Sequence, residues 1–228
     1  MILILIIAAA TALGMAIGRA LSLESGFEGW VFRMLAGLAA CAALTLALGS
    51  ISLAVAQTVL AAIALAGIVW AVWGRAHASQ VEQDLRVRFP KTYAPQPISA
   101  FEWLCIALGT AAMAAALLEA LAPVYRSEAT TDLLALAADY ARAGRIRLAE
   151  GNAHAAAPHL PYALFTLALF RGGELPVSLL NWLLGALACL AVYALGRRWA
   201  GRACGLCAAA FFATAPIEIG RASCRERV

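Results

Sequence analysis

The chain has 228 residues, of which 64% are hydrophobic and 13% charged, and its mean hydropathy is +0.83. This composition excludes an ordinary soluble domain, and the long charge-free runs lack the alternation of barrel strands, so we expect an all-α, polytopic transmembrane helical bundle. The formal net charge of +4 comes mainly from Arg residues in short loops, which favours membrane orientation over nucleic-acid binding.

About six spans are predicted, and the last of them is short. Residues 1–18 carry no charge and are long enough to cross the hydrocarbon core. The first charged residue of the chain, Arg19, follows this apolar run. That order favours a retained membrane anchor over a cleaved signal peptide. The break at Gly49-Ser50-Ile51-Ser52 divides the charge-free stretch 34–74 into a helical hairpin. The remaining predicted spans are 101–122, 175–196 and 203–217.

Lys and Arg residues predict the orientation of the bundle. The loops 19–33, 75–91 and 197–202 hold two, four and three of them, whereas the 49–52 turn holds none. The positive-inside rule places those three loops in the cytoplasm. Alternation then places the N-terminus and the region 123–174 outside, as expected for the inner (plasma) membrane of a bacterium.

The external region is predicted to contain two non-crossing helices. Apolar residues recur at helical spacing between Ser127 and Gly144, which can cap and end an amphipathic surface helix. The apolar piece Ala155–Phe170 is short and contains two prolines, so we expect a juxtamembrane or re-entrant helix.

The candidate site residues belong to this external region. Glu128 and Asp132 share a helix face with Asp139, and such carboxylates can act as a general base or bind a divalent cation beside a lipid phosphate. Arg142 and Arg145 are candidates for binding that phosphate, and His159 for a ligand or acid-base group. The alternatives are a solvated helix face with a weak Asp139–Arg142 pair, and Arg contacts to anionic headgroups.

The six cysteines show no paired framework, although Cys204 and Cys207 form a CxxC. We interpret them as packing residues, because a zinc or redox site needs a second pair or a polar pocket.

The segment 218–228 is expected to be foreign to the protein. The codons ATC GGA AGA GCG TCG TGT AGG GAA AGA GTG would encode Ile219–Val228, and that string resembles a common short-read sequencing adapter. We therefore expect the natural gene to continue past about Ile217, and we assign no function to the tail.

The order of elements in 101–217, about half of the chain, is similar to a known enzyme family. A span is followed by an acidic residue at the head of an amphipathic helix (127–146), a proline-containing half-helix (158–165), a span into a basic turn (190–202) and a helix ending in Ala215-Pro216. This order resembles the N-terminal part of GT-C type glycosyltransferases, which take sugars from polyprenyl-phosphate donors and include protein mannosyltransferase and aminoarabinose transferase relatives.

The resemblance implies a division into N-terminal helices with a cytoplasmic loop (1–100) and a truncated GT-C-like module (101–217). It also implies an inverting transfer with Glu128 as catalytic base, although Ser127 stands where an Asp often precedes that residue. Asp132, one helical turn after Glu128, is the candidate to take the place of that missing Asp. The expected partners are a polyprenyl-phosphate-linked sugar and membrane lipids, with no nucleic acid, and the fragment itself is expected to be inactive.

Two other functions stay open at the level of the sequence. One is a non-catalytic membrane scaffold or subunit whose charged loop binds partners or headgroups. The other is a transporter, which usually carries intramembrane charges and broken helices; the predicted spans have no charge near their centres.

Overall fold

The computed structural model describes residues 1–21, 26–88, 97–122, 134–147 and 160–215. Within these ranges every regular element is an α-helix, which confirms the predicted all-α class. The helices in chain order are α1 (Ile2–Ala20), α2 (Phe27–Gly49), α3 (Leu53–Arg88), α4 (Ala100–Leu121), α5 (Leu134–Ala143), α6 (Leu160–Gly172), α7 (Glu174–Ala200) and α8 (Arg202–Thr214).

Five of these helices are long and apolar enough to cross a membrane, namely α1, α2, α4, α7 and the Leu53–Trp73 part of α3. They coincide with the first five predicted spans, and they support an integral membrane protein. The sixth predicted span, 203–217, corresponds to α8. Its 13 residues extend only about 20 Å, which is less than a hydrocarbon core of about 30 Å. The described bundle therefore has five candidate spans.

The polar stretch after the third span is partly helical and not simply a loop. α3 has 36 residues and continues without a break to Arg88. The stretch 75–88 contains neither glycine nor proline, and the first proline after it is Pro90. The backbone can therefore keep its helical hydrogen bonds beyond the apolar part of α3.

The hydrophobic core forms where α1, α2, α3, α6 and α7 meet. α1 and α2 approach closely at two glycines, Gly14 and Gly37, because a Cβ on either would overlap a backbone carbonyl oxygen of the other helix. Small residues permit this approach in membrane helices. The largest fully buried side chains of the core cluster are Ile6, Leu60, Leu164, Leu167 and Leu180.

α6 packs inside the bundle and does not lie on its outer surface. Leu164, Leu167 and Ala168 belong to the core cluster, and the helix has 13 residues, too few to cross the membrane. Of the two interpretations offered by the sequence, this placement supports a re-entrant helix over a peripheral one.

Contacts between helix ends assign the loops to two ends of the bundle. At the end that we call the basic end, the Arg19 guanidinium lies 3.9 Å from the centre of the Trp70 ring. There the rings of Phe27 and Tyr193 are also 5.7 Å apart. At the opposite end, the α5 end, the backbone after α5 bonds to the α2–α3 turn. This grouping agrees with the predicted alternation of loops.

Candidate functional site

α5 has the amphipathic character that the sequence predicts. Leu136, Ala137 and Tyr140 are buried on the face that meets α6, whereas Asp139 and Arg142 are exposed. Burial also raises the pKa of the Tyr140 hydroxyl, so this side chain stays neutral. The apolar face fixes the rotation of α5 and leaves its charged face at the surface.

The chain that leaves α5 docks on the α2–α3 turn through its backbone. α5 ends at Ala143. The next residue, Gly144, has a φ of +67°, in the left-handed region that glycine adopts without strain. The Leu53 amide donates to the Gly144 carbonyl oxygen at 2.8 Å, and the Ile146 amide donates to the Gly49 carbonyl oxygen at 2.7 Å. These two bonds hold the segment 144–146 against the hairpin turn.

Both bonds satisfy backbone groups that helix ends leave without a partner. The first amides of a helix have no acceptor within that helix, and its last carbonyls have no donor. Here Leu53 is the first residue of α3 and Gly49 the last of α2, and each is bonded to the segment after α5. Gly49 also lies under Ile146, because a Cβ there would be 2.9 Å from the Ile146 Cδ1 atom. These contacts together define one position of the segment 144–146 on the α2–α3 turn.

The predicted phosphate-binding arginines lie at this α5 end. Arg142 donates to the Asp139 carboxylate at 3.0 Å, with 79% and 63% of the two side chains exposed. Such an exposed pair contributes little stability and can exchange for another anion. Arg145 is also exposed, and so is Arg147, which follows the half-buried Ile146.

The other predicted site residues, Glu128, Asp132 and His159, lie outside the described ranges. The structure therefore tests neither their roles nor their distance from Arg142 and Arg145. Across the residues that the structure does describe, no group of three or more His, Cys, Asp or Glu side chains is arranged to hold a metal ion. A divalent cation stays a prediction tied to the two carboxylates.

The structure also shows a polar cluster at the basic end that the sequence analysis did not predict. The Arg202 Nε donates to the Glu102 Oε1 at 2.6 Å, and its Nη2 donates to the Oε2 at 2.9 Å. The same Nη2 donates to the Pro97 carbonyl oxygen at 3.0 Å. The bonds to the Glu102 carboxylate raise the pKa of the Arg202 guanidinium. They also join the start of α4 to the start of α8.

Glu102 is held in place by its own helix terminus. The Ser99 amide donates to the Glu102 Oε2 at 2.7 Å, and the Glu102 amide donates to the Ser99 Oγ at 3.2 Å. This is a capping box, and its Ser-x-x-Glu pattern is visible in the sequence. Glu102 is buried, with 5% of the residue exposed, so the bidentate arginine supplies the charge partner that a buried carboxylate needs.

Comparison of the chain with protein-family models, with curated proteins and with solved structures gave no match. The class that the fold itself defines is an all-α, polytopic integral membrane protein.

Proposed function

We propose that this chain is part of a GT-C type glycosyltransferase of the bacterial plasma membrane. It transfers a sugar from a polyprenyl-phosphate donor to an acceptor hydroxyl at the outer face, which is the α5 end. The main support is the docking of the segment 144–146 on the α2–α3 turn, because it presents Arg142 and Arg145 at one end of the spans.

The proposed reaction needs one base and stabilisation of one phosphate. Glu128 takes the proton of the acceptor hydroxyl, whose oxygen then attacks the anomeric carbon with inversion. The bond from that carbon to the phosphate oxygen breaks, and polyprenyl phosphate leaves with the bonding electrons. Asp132 and His159 are candidates for supporting the base and binding the donor, and positioning with charge stabilisation supplies the remaining rate enhancement.

Guanidinium groups at the α5 end suit the leaving phosphate. Arg binds phosphate through paired, charge-assisted hydrogen bonds. The bond from Arg142 to Asp139 is exposed, so little free energy opposes its exchange for a phosphate oxygen. One hydrogen bond to a charged group contributes about 1.5–3 kcal/mol, so losing one such arginine should weaken phosphate binding by about 10- to 150-fold.

The test uses undecaprenyl phosphate as the probe for a released polyprenyl phosphate, and the purified chain in nanodiscs. We expect Arg145→Gln to weaken binding of this lipid at least about tenfold, as measured by native mass spectrometry. Arg198→Gln removes an exposed arginine at the basic end and should leave binding unchanged. In turnover assays of the complete gene product with undecaprenyl-phosphate sugars, Glu128→Gln should lower the rate about 10²- to 10⁴-fold without changing lipid binding.

A membrane scaffold is the second candidate, and one observation favours it. Only 6% of the α4 span is buried within the chain, so α4 offers a long apolar face to another membrane helix. A scaffold predicts equal undecaprenyl phosphate binding for Arg145→Gln and Arg198→Gln, and no turnover with any donor. That pair of results would overturn the glycosyltransferase proposal.

A further inference from the structure

Five of the six tryptophans of the chain lie at the basic end of the bundle. One is near the start of α2, one near the start of α4 and one near the end of α7, and two close the apolar part of α3. These five residues, which we call the tryptophan belt, are all exposed; they are Trp30, Trp70, Trp73, Trp103 and Trp199. Tryptophan is enriched where a membrane meets water, so the belt marks one membrane surface.

The distance from the tryptophan belt to the α5 end matches the thickness of a bilayer core. Trp30, Trp70 and Trp103 lie 17–19 residues from the ends of their helices at the α5 end. At a rise of about 1.5 Å per residue this is about 26–28 Å, and a hydrocarbon core is about 30 Å thick. With the apolar parts of the helices in that core, the belt lies at the level of the lipid headgroups.

Arg19 differs from the other arginines at this end because an indole ring holds it. It lies in the last turn of α1, and its guanidinium carbon is 3.9 Å from the centre of the Trp70 ring of α3. The ring face attracts the cation but offers no hydrogen-bond acceptor. The structure shows no hydrogen bond or ion pair from Arg19 to another described residue. The guanidinium thus has a fixed place and keeps its donors for a ligand.

The charge of the basic end suits an anionic ligand. Within the described ranges, the exposed charged side chains at this end are Arg19, Arg197 and Arg198. The acidic residues described there are Glu28, which is half-buried, and Glu102, which is buried in an ion pair. Arginines at a membrane surface attract anionic headgroups, and a guanidinium binds phosphate oxygens through charge-assisted hydrogen bonds.

The surface beside Trp70 suits the apolar part of a lipid. Leu65, Ile68 and Val69 are exposed on α3, between the Trp70 position and the centre of the span. A ligand at this place therefore meets a cation at the level of the headgroups and aliphatic side chains deeper in the membrane. A free anion would contact only the cation, whereas a phospholipid contacts both.

We propose that Arg19 and Trp70 form a binding site for an anionic phospholipid of the phosphatidylglycerol type. Its phosphate accepts hydrogen bonds from Arg19, Trp70 holds the guanidinium at the level of that phosphate, and the acyl chains pack along α3. The site lies at the basic end, opposite the arginines of α5, so it does not depend on the proposed sugar transfer.

The test measures binding of phosphatidylglycerol to the purified, delipidated chain by native mass spectrometry, with phosphatidylcholine of the same acyl chains for comparison. We expect the wild-type chain to bind phosphatidylglycerol more tightly than phosphatidylcholine. Arg19→Gln should weaken phosphatidylglycerol binding at least about tenfold, because a hydrogen bond to a charged group is lost. Trp70→Leu should weaken it about two- to fivefold, through loss of the cation–π contact.

Two matched controls remove the same groups from the same membrane surface. Arg198→Gln and Trp73→Leu change exposed residues that are not part of the Arg19–Trp70 contact. Both should leave phosphatidylglycerol binding unchanged. Circular dichroism checks that all four variants keep their helices.

The proposal fails on any of three results. Equal losses for Arg19→Gln and Arg198→Gln would mean that the charge of the whole end, and not one site, attracts the lipid. Equal binding of phosphatidylglycerol and phosphatidylcholine by the wild-type chain would remove the preference for an anion. If glycerophosphoglycerol, the headgroup without acyl chains, bound as tightly as the lipid, the site would be one for free anions. The last two comparisons use the wild-type chain, so they do not depend on a variant that folds poorly.

Discussion

Replacing Gly37 with alanine tests whether close backbone contact between α1 and α2 holds the core together. The added Cβ would overlap the Ala10 carbonyl oxygen and lie 2.7 Å from its carbon and 2.9 Å from the Gly14 nitrogen. Ordinary contacts between nonbonded carbons are about 3.5–4.0 Å, so the two helices must separate by about 1 Å. All three obstructing atoms belong to the backbone, so no side chain can rotate away to make room.

The size of the effect follows from a matched pair of glycines. Gly185 lies inside α7, and a Cβ there would have no atom within 4 Å. Gly37→Ala and Gly185→Ala share the gain in helix propensity, up to about 1 kcal/mol, so the difference between them isolates the overpacking cost. Overpacking a tight contact costs about 1–3 kcal/mol. We therefore expect Gly37→Ala to melt about 2–12 °C below Gly185→Ala.

The assay follows Cys41, which is fully buried in the core cluster. Because Cys105 is buried too, the assay uses a Cys105→Ala background, in which a maleimide dye that fluoresces on reacting with thiols labels the exposed cysteines first and reaches Cys41 only as the bundle opens on heating. The temperature of this second phase reports the loss of the α1–α2 contact. Helical circular dichroism measured at the start of the experiment checks that both variants fold.

Equal melting temperatures for the two alanine variants would refute the reasoning. Such a result would mean that α1 and α2 can separate without loss of free energy, so their close approach would not be a source of stability. A lower melting temperature for Gly185→Ala than for Gly37→Ala would contradict it more strongly, because the structure places no obstacle at Gly185.

Two further predictions concern the ends of the bundle. Arg202→Lys should lower the melting temperature measured by helical circular dichroism, because an ammonium cannot bridge both Glu102 oxygens as the guanidinium does, whereas Arg198→Lys, at an exposed position, should not change it. In intact cells, with native cysteines replaced, a membrane-impermeant maleimide should label Arg145→Cys but not Arg198→Cys; the opposite result would place the α5 end in the cytoplasm and remove the topological basis of the proposed transfer.

Much of the fold is predictable from the sequence because lipid imposes a simple rule on the backbone. Long charge-free runs must be helices, and the Gly49–Ser52 break and the polar stretch before Ala100 mark where they end. The end of α3 is harder to predict. Polar residues mark where the chain leaves the bilayer, but α3 continues to Arg88, two residues before Pro90. No glycine or proline in 75–88 interrupts its hydrogen bonds.

Contacts between distant segments are less predictable. The amphipathic spacing around Leu136 and Tyr140 correctly predicts the buried face of α5, because burial on a helix follows its own period. The Glu102–Arg202 ion pair depends on the register between α4 and α8. That register is set by packing, and it has no counterpart in the local pattern, even though the Ser99–Glu102 capping box is visible there.

The two ends of the bundle are held by different kinds of contact, and this difference bears on function. At the basic end a side-chain pair, Glu102 and Arg202, joins α4 to α8. At the α5 end, backbone amides and carbonyls of Gly49, Leu53 and the segment 144–146 carry the hydrogen bonds. Since those bonds do not use the Arg145 side chain, that position can change to suit a ligand without undoing the docking. An end held by backbone bonds is thus suited to carry a binding surface.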